Sequence, residues 1–209
     1  MRLYGYPNTR STRALWALEE AAATYNYVQV NLHKGEARSA AFLEINPGGK
    51  LPALIDGNLI LTESAAICMY VADKFPAAQL APTHASVQRA QFNQWCFFAL
   101  SELEQPLWTL SKHTFALPEK YRVPQIMDTT RWEFARAAGV LAAGLGEREY
   151  IVGDTFSVAD ILIANTLNWA RSRNVEIQSA SLNAYADRML ARPALQRAHD
   201  RERAAAAAA

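Results

Sequence analysis

Three stretches of the chain hold residue types that could do chemistry. The first is Tyr4-Gly5-Tyr6-Pro7-Asn8-Thr9-Arg10-Ser11-Thr12-Arg13. Ser11 and Thr9 place hydroxyls at the entrance of a helix, where a hydroxyl either donates to an anion or caps the helix. Asn8 offers an amide donor, and Tyr4 and Tyr6 offer phenols. The second stretch runs from Lys50 to Ser64. Lys50 is either a point charge for a carboxylate or a solvated loop lysine. Pro52 stands at the start of a strand, where proline is tolerated. Glu63-Ser64 opens a helix, and the exposed N–H groups and dipole of a helix start attract a carboxylate. Ser64 adds a hydroxyl donor and Glu63 can accept an ammonium, so the pair suits an amino-acid head group. Capping by Thr62 or Ser64 is the other role, and the two can coexist. The third stretch, Ser157-x-x-Asp160 after Phe156, is a capping box with aspartate in the glutamate position. It reads as fixing a helix start rather than as catalysis.

Other chemistry is poorly served. Gly48-Gly49-Lys50 lacks the upstream glycine and following hydroxyl of a phosphate loop, and no GxGxxG, HExxH or GxSxG occurs. His33, His84, His113 and His199 show no ligand spacing, so no metal is expected. Cys68 and Cys96 form no CxxC pair, and two cysteines in 209 residues make no disulfide scaffold. That usage fits a reducing compartment. The formal net charge of +1 gives no global case for nucleic acid or an anionic membrane. The N-terminal residues form no long apolar leader, and no apolar run approaches the roughly 18–20 residues of a membrane span. A cytoplasmic location is the expectation.

The elements that must position these groups follow from periodicity. With 51% apolar residues, a chain this long can bury about 70% of its unfolded surface. Arg2 to Tyr6 reads as a buried strand broken by Pro7-Asn8. Ala14, Leu15, Leu18, Ala21 and Ala22 mark an amphipathic helix opening at Ser11. Val28, Val30 and Leu32 alternate as a second strand, and His33 to Gly49 reads as loop. Asp56-Gly57-Asn58 between apolar runs signals a hairpin. A helix then runs from Glu63-Ser64 to Phe75 and stops at Pro76. Pro76 to Ser86 reads as linker. Helical patterns cover roughly 87–113, 124–145, 157–172 and 181–201, with Pro124 in a first helical turn. The alanine run Ala204–Ala209 is given no function. The expectation is an α/β domain over 1–76, a linker over 77–86 and an all-α domain over 87–209.

The stretch Phe42 to Pro76, FLEINPGGKLPALIDGNLILTESAAICMYVADKFP, resembles the glutathione-binding half of the cytosolic glutathione transferases, especially theta-like and related bacterial classes. Tyr4 to Glu20 fits the same family's first strand and helix, and Gly153 to Ala164, GDTFSVADILIA, matches its helix-capping signature. The resemblance spans nearly the whole chain in the right order. It implies a thioredoxin-like N-terminal domain followed by an all-α domain. It implies a cis Leu51-Pro52 peptide that turns the Leu51 main chain toward a glutathione backbone, as an added strand would pair. Lys50, Leu51, Pro52, Glu63 and Ser64 are then glutathione contacts. The family histidine after the loop Lys-Gly falls on Ala37, with Arg38 or His33 as replacements. For the activating group, which must hold a thiol of pKa near 8.5 as thiolate, the theta-like serine falls on Thr9. Ser11 is a second hydroxyl at the helix entrance, and Ser11 and Thr9 are jointly the expected donors, with Asn8, Tyr4 and Tyr6 as alternatives and Arg10 assisting electrostatically. Tyr6, Arg10, Trp95, Phe98 and Trp108 would border an apolar electrophile, and Phe115 sits on a helix at the same cleft. The implied activity is glutathione transfer in a homodimer, in the manner of detoxification enzymes. A glutathione-binding regulatory module and a glutathione-dependent disulfide reductase, peroxidase or isomerase are the alternatives.

Overall fold

The computed structural model describes residues 1–207, so Ala208 and Ala209 of the alanine run lie outside it. By internal contacts the chain forms two compact units, one of Met1–Ala81 joined by the chain from Ala191 onward, the other Pro82–Leu190. The last helix therefore groups with the α/β part, whereas the sequence reading carries the helical domain through 209.

The first unit opens with β1 (Arg2–Gly5), α1 (Ser11–Glu20) and β2 (Asn26–Gln29). A hairpin of β3 (Ala53–Asp56) and β4 (Leu59–Thr62) and helix α3 (Ser64–Lys74) follow. The sheet order is β2-β1-β3-β4, with β1 parallel to β2 and antiparallel to β3. This is the βαβ-plus-hairpin arrangement the sequence implies. Two details differ. Strand β2 ends at Gln29 rather than continuing to Leu32, because Asn31 starts a self-bonded turn. The stretch expected as loop contains a short helix, α2 (Ala40–Ile45), started by Ser39 accepting the Phe42 N–H. Its Phe42 joins Val30, Ala37 and Ala53 in a core on one face of the sheet. Ala37 is thus a packing position, which explains its small apolar side chain.

On the other face, Ser11 to Glu19 of α1 are all buried. Helix α9 (Pro193–Ala207) lies against α1 through ion pairs from Arg197 and Arg201 to Glu19, and Arg192 just before it pairs with Glu20. The helix expected over 181–201 is in fact two, α8 (Ala180–Leu190) and α9. Pro193 has no N–H to continue the first, but suits the opening turn of the second.

The second unit holds helices and connecting loops, with no strand among its described residues. Helix α4 (Val87–Phe98) continues through a wide π turn, Ala99–Glu104, into α5 (Gln105–Ser111) and a second π turn, Lys112–Ala116. Pro106 removes a main-chain donor and clashes with a regular preceding turn, so the widening sits where the proline demands it. Helices α6 (Ile126–Leu145), α7 (Val158–Ser172) and α8 complete the unit. Helix α6 starts two residues after Pro124, with Gln125 at its N-cap.

Candidate functional site

The strand register decides which candidates meet. Tyr4 pairs with Ala53, and Ala53 pairs with Thr62, in one row across β1, β3 and β4. The turn after β1, the Leu51-Pro52 peptide before β3 and the Glu63-Ser64 start of α3 therefore emerge at one edge of the sheet. Gly5 pairs with Gln29, so the loop after β2 leaves at the same edge.

The Leu51-Pro52 peptide is cis. Among the described residues no protein group bonds the Leu51 N–H or C=O. The loop before it is built by Asn46, which the sequence reading missed. Its Nδ2 donates to the Lys50 carbonyl at 2.7 Å, its Oδ1 accepts the Gly48 N–H at 3.0 Å, and its carbonyl accepts the Gly49 N–H at 2.8 Å. An asparagine ahead of Pro-Gly-Gly is a turn former by its own side chain, and that signal was available. Gly49 has φ +58°, and a Cβ there would come within 2.8 Å of Arg38 Nη1. The Arg38 guanidinium thus lies over Gly49, next to the exposed Lys50. Arg38 and Lys50 are thus two exposed cations at this loop.

At the opposite side of the row, Glu63 is exposed and has φ +63°. A left-handed φ at a non-glycine residue costs about 1–3 kcal/mol and collects at ligand sites. No side chain caps α3, so neither Thr62 nor Ser64 plays that part. Its first N–H groups stay available for an anion, and Ser64 is buried beneath them.

The turn after β1 is locked by its own hydroxyls. Ser11 Oγ accepts the Tyr6 N–H at 3.0 Å and donates to the Tyr6 carbonyl at 2.9 Å. Thr9 Oγ1 donates to the same carbonyl at 2.7 Å, lies 2.6 Å from Ser11 Oγ, and accepts the Ser11 N–H at 3.2 Å. Each hydroxyl has one proton, and both are used inside the turn. Ser11 is also wholly buried. Asn8 is exposed at φ +58°. Tyr4 packs on Phe42, ring centres 6.0 Å apart, and belongs to the core. Tyr6 and Arg10 are half-buried. His33, a candidate for the carboxylate end beside Lys50, instead sits against the Tyr6 ring at 5.7 Å.

In the helical unit, Trp95 meets Phe98 edge-on at 5.2 Å, and its ring fills the space over Gly144 of α6. Trp108 and Phe98 are half-buried, and Phe115 is exposed beneath the Arg173 guanidinium. The capping box is present. Asp160 Oδ2 accepts both the N–H and the hydroxyl of Ser157, and Oδ1 accepts the Ile151 N–H and the Tyr185 hydroxyl. Burial pushes the Asp160 carboxyl up, against these four donors. Cys68 and Cys96 are buried, and burial pushes the Cys68 thiol up to about 12. Neither cysteine is exposed at that edge. Among the described residues no His, Cys, Asp and Glu group has metal-holding geometry.

Family models for the "Glutathione S-transferase, N-terminal domain" and "Glutathione S-transferase, C-terminal domain" match residues 1–73 and 109–193. The chain belongs to the glutathione S-transferase family. It is an enzyme of that transferase type, with the thioredoxin-like and helical parts of the family fold. It is 27% identical to glutathione S-transferase GstA of Escherichia coli O157:H7, over 94% of this chain and 96% of that protein. It is 30% identical to the disulfide-bond oxidoreductase YfcG of Escherichia coli K12, over 92% of this chain and 91% of that one. Among solved structures, BphK, a bacterial transferase in a ternary complex, superposes with a TM-score of 0.86. Its identity is 34%, with 99% of this chain and 100% of that chain covered. A sphingomonad glutathione S-transferase complexed with glutathione gives a TM-score of 0.83 at 31% identity, covering 97% and 98%.

Proposed function

We propose that the sheet edge of the first unit binds glutathione and presents its sulfur, as thiolate, to an apolar electrophile. The observation that carries this reading is the single row Tyr4–Ala53–Thr62, which brings the sulfur turn, the Leu51 main chain and the uncapped start of α3 to one edge. Leu51 pairs with the cysteinyl main chain as an added strand would. Glu63 takes the γ-glutamyl ammonium, and Ser64 with the α3 N–H groups takes its carboxylate. Lys50 and Arg38 hold the glycyl carboxylate. The hydroxyl protons of Ser11 and Thr9 are committed to Tyr6, so the sulfur is held by the Asn8 amide and the turn that Thr9 and Ser11 brace. Arg10 supplies positive charge. The thiolate attacks the electrophilic carbon, an S–C bond forms, and the leaving group departs with its electron pair. Lowering a thiol pKa by two units asks about 2.7 kcal/mol of these donors. Tyr6 and Arg10 stand on the electrophile side. Trp95 serves packing. The working form is a homodimer in the cytoplasm, engaged in detoxification, with glutathione as co-substrate and no metal.

The test is the thiolate absorbance of bound glutathione against pH, with conjugation of an aryl halide. Asn8→Ala raises the bound thiol's pKa, whereas Ser11→Ala lowers stability and leaves that pKa unchanged. Binding with an unshifted thiol in the wild type sinks the transferase reading and leaves a binding module.

Glutathione-dependent disulfide reduction is a second reading. It is favoured by the 30% identity to a disulfide-bond oxidoreductase and by two buried cysteines that leave glutathione as the sole thiol source. Disulfide turnover faster than aryl conjugation selects it.

A further inference from the structure

We propose that His33, set edge-on against Tyr6, is a specificity-determining residue that selects flat, conjugated electrophiles over small alkyl ones. The proposal rests on the transferase reading above. Tyr6 is among the most constrained residues of the edge. Its N–H and carbonyl are both held by Ser11, and its carbonyl by Thr9 as well. Its ring therefore stands on a fixed stub directly before the sulfur turn. The His33 loop is equally built. Asn31 Oδ1 accepts the His33 and Lys34 N–H groups at 3.0 and 3.1 Å. Glu36 closes the loop, its Oε2 accepting the Asn31 N–H at 2.6 Å and its N–H donating to the Asn31 carbonyl at 3.1 Å.

Two rigid stubs thus hold two rings 5.7 Å apart at 72°. Edge-to-face geometry in this range is a favourable aromatic arrangement, and it leaves the inner corner of an angle between two ring planes. A planar electrophile can lie on one ring while its edge meets the other. A small alkyl halide has no face to offer either. His33 is exposed, so this contact is made without displacing core packing.

The experiment uses the full chain and two variants, His33→Ala and His33→Phe. Glutathione binding is measured by calorimetry, and kcat/KM is measured for an activated aryl halide and for a small alkyl halide. His33→Ala lowers aryl kcat/KM about three- to tenfold, the scale of one lost aromatic pair. Alkyl kcat/KM and glutathione affinity stay within twofold. His33→Phe restores most of the aryl rate. Equal loss on both electrophiles, or a weakened glutathione affinity with both rates reduced, overturns the proposal while the transferase reading stands. Absence of any glutathione heat in the wild type overturns both.

Discussion

Replacing Asp160 by alanine tests whether the capping residue of α7 is structural. In the folded chain one carboxylate satisfies four donors: the Ile151 N–H, the Ser157 N–H and hydroxyl, and the Tyr185 hydroxyl. Asp160 and Tyr185 are both fully buried. Loss of the cap costs about 1 kcal/mol. Each buried donor left unsatisfied costs about 1–3 kcal/mol. The Ile151 N–H and Tyr185 hydroxyl have nowhere else to turn, and relief of the carboxylate's own desolvation returns part of the loss. A net destabilisation of about 4 kcal/mol is expected. For a chain of this length that lowers Tm by roughly 8–16 °C. Tyr185→Phe removes a single donor and leaves Asp160 with three, so it should cost about 1 kcal/mol and roughly 2–4 °C. Thermal unfolding followed by tryptophan fluorescence reads the helical unit well, because Trp95, Trp108, Trp132 and Trp169 lie in it and Trp16 alone does not. Glutathione affinity of folded Asp160→Ala stays at the wild-type value. A Tm within 2 °C of wild type, or equal losses in the two variants, would refute the account of this network.

The helical unit makes a second, independent demand at Gly144, where a Cβ would come within 2.2 Å of the Trp95 ring. Gly144→Ala should cost about 1–3 kcal/mol, visible as a lower Tm despite alanine's better helix propensity. Cys68 and Cys96 should stay silent to a thiol reagent in the native chain and react on unfolding; fast labelling would show that a protein thiol is accessible after all. Lys50→Met and Arg38→Ala should each weaken glutathione binding about three- to tenfold and flatten its salt dependence, because both cations are solvent-exposed and screened. Unchanged dissociation constants in both variants would remove them from the carboxylate end.

Much of the first unit was legible because its signals are local. The Asp56-Gly57-Asn58 turn, the spacing of Ala14, Leu15 and Leu18, and the proline at position 52 each declare their element without help from the rest of the chain. What stayed hidden depends on which partner wins. Ser11 and Thr9 carry the right functional groups for a sulfur donor, but only the folded turn shows both hydroxyl protons taken by the Tyr6 carbonyl. From sequence His33 is equally a candidate for the carboxylate end, because sequence distance cannot say which ring the loop carries it against. Sequence places Arg38 next to Ala37 but does not show that its guanidinium lies over Gly49. The stop at Pro193 is masked in sequence because apolar periodicity runs across it. The grouping of α9 with the first unit lay beyond sequence reasoning, because it follows from ion pairs across more than 170 residues.

Titration of the isotopically labelled chain with glutathione, reading calorimetric heat together with the Leu51 amide resonance, bears most directly on the site. Saturable heat with one ligand per chain, and a Leu51 amide that moves in step with it, is the outcome this geometry requires. Heat with an unmoved Leu51, or no heat at millimolar glutathione, would place the ligand elsewhere or nowhere on this edge.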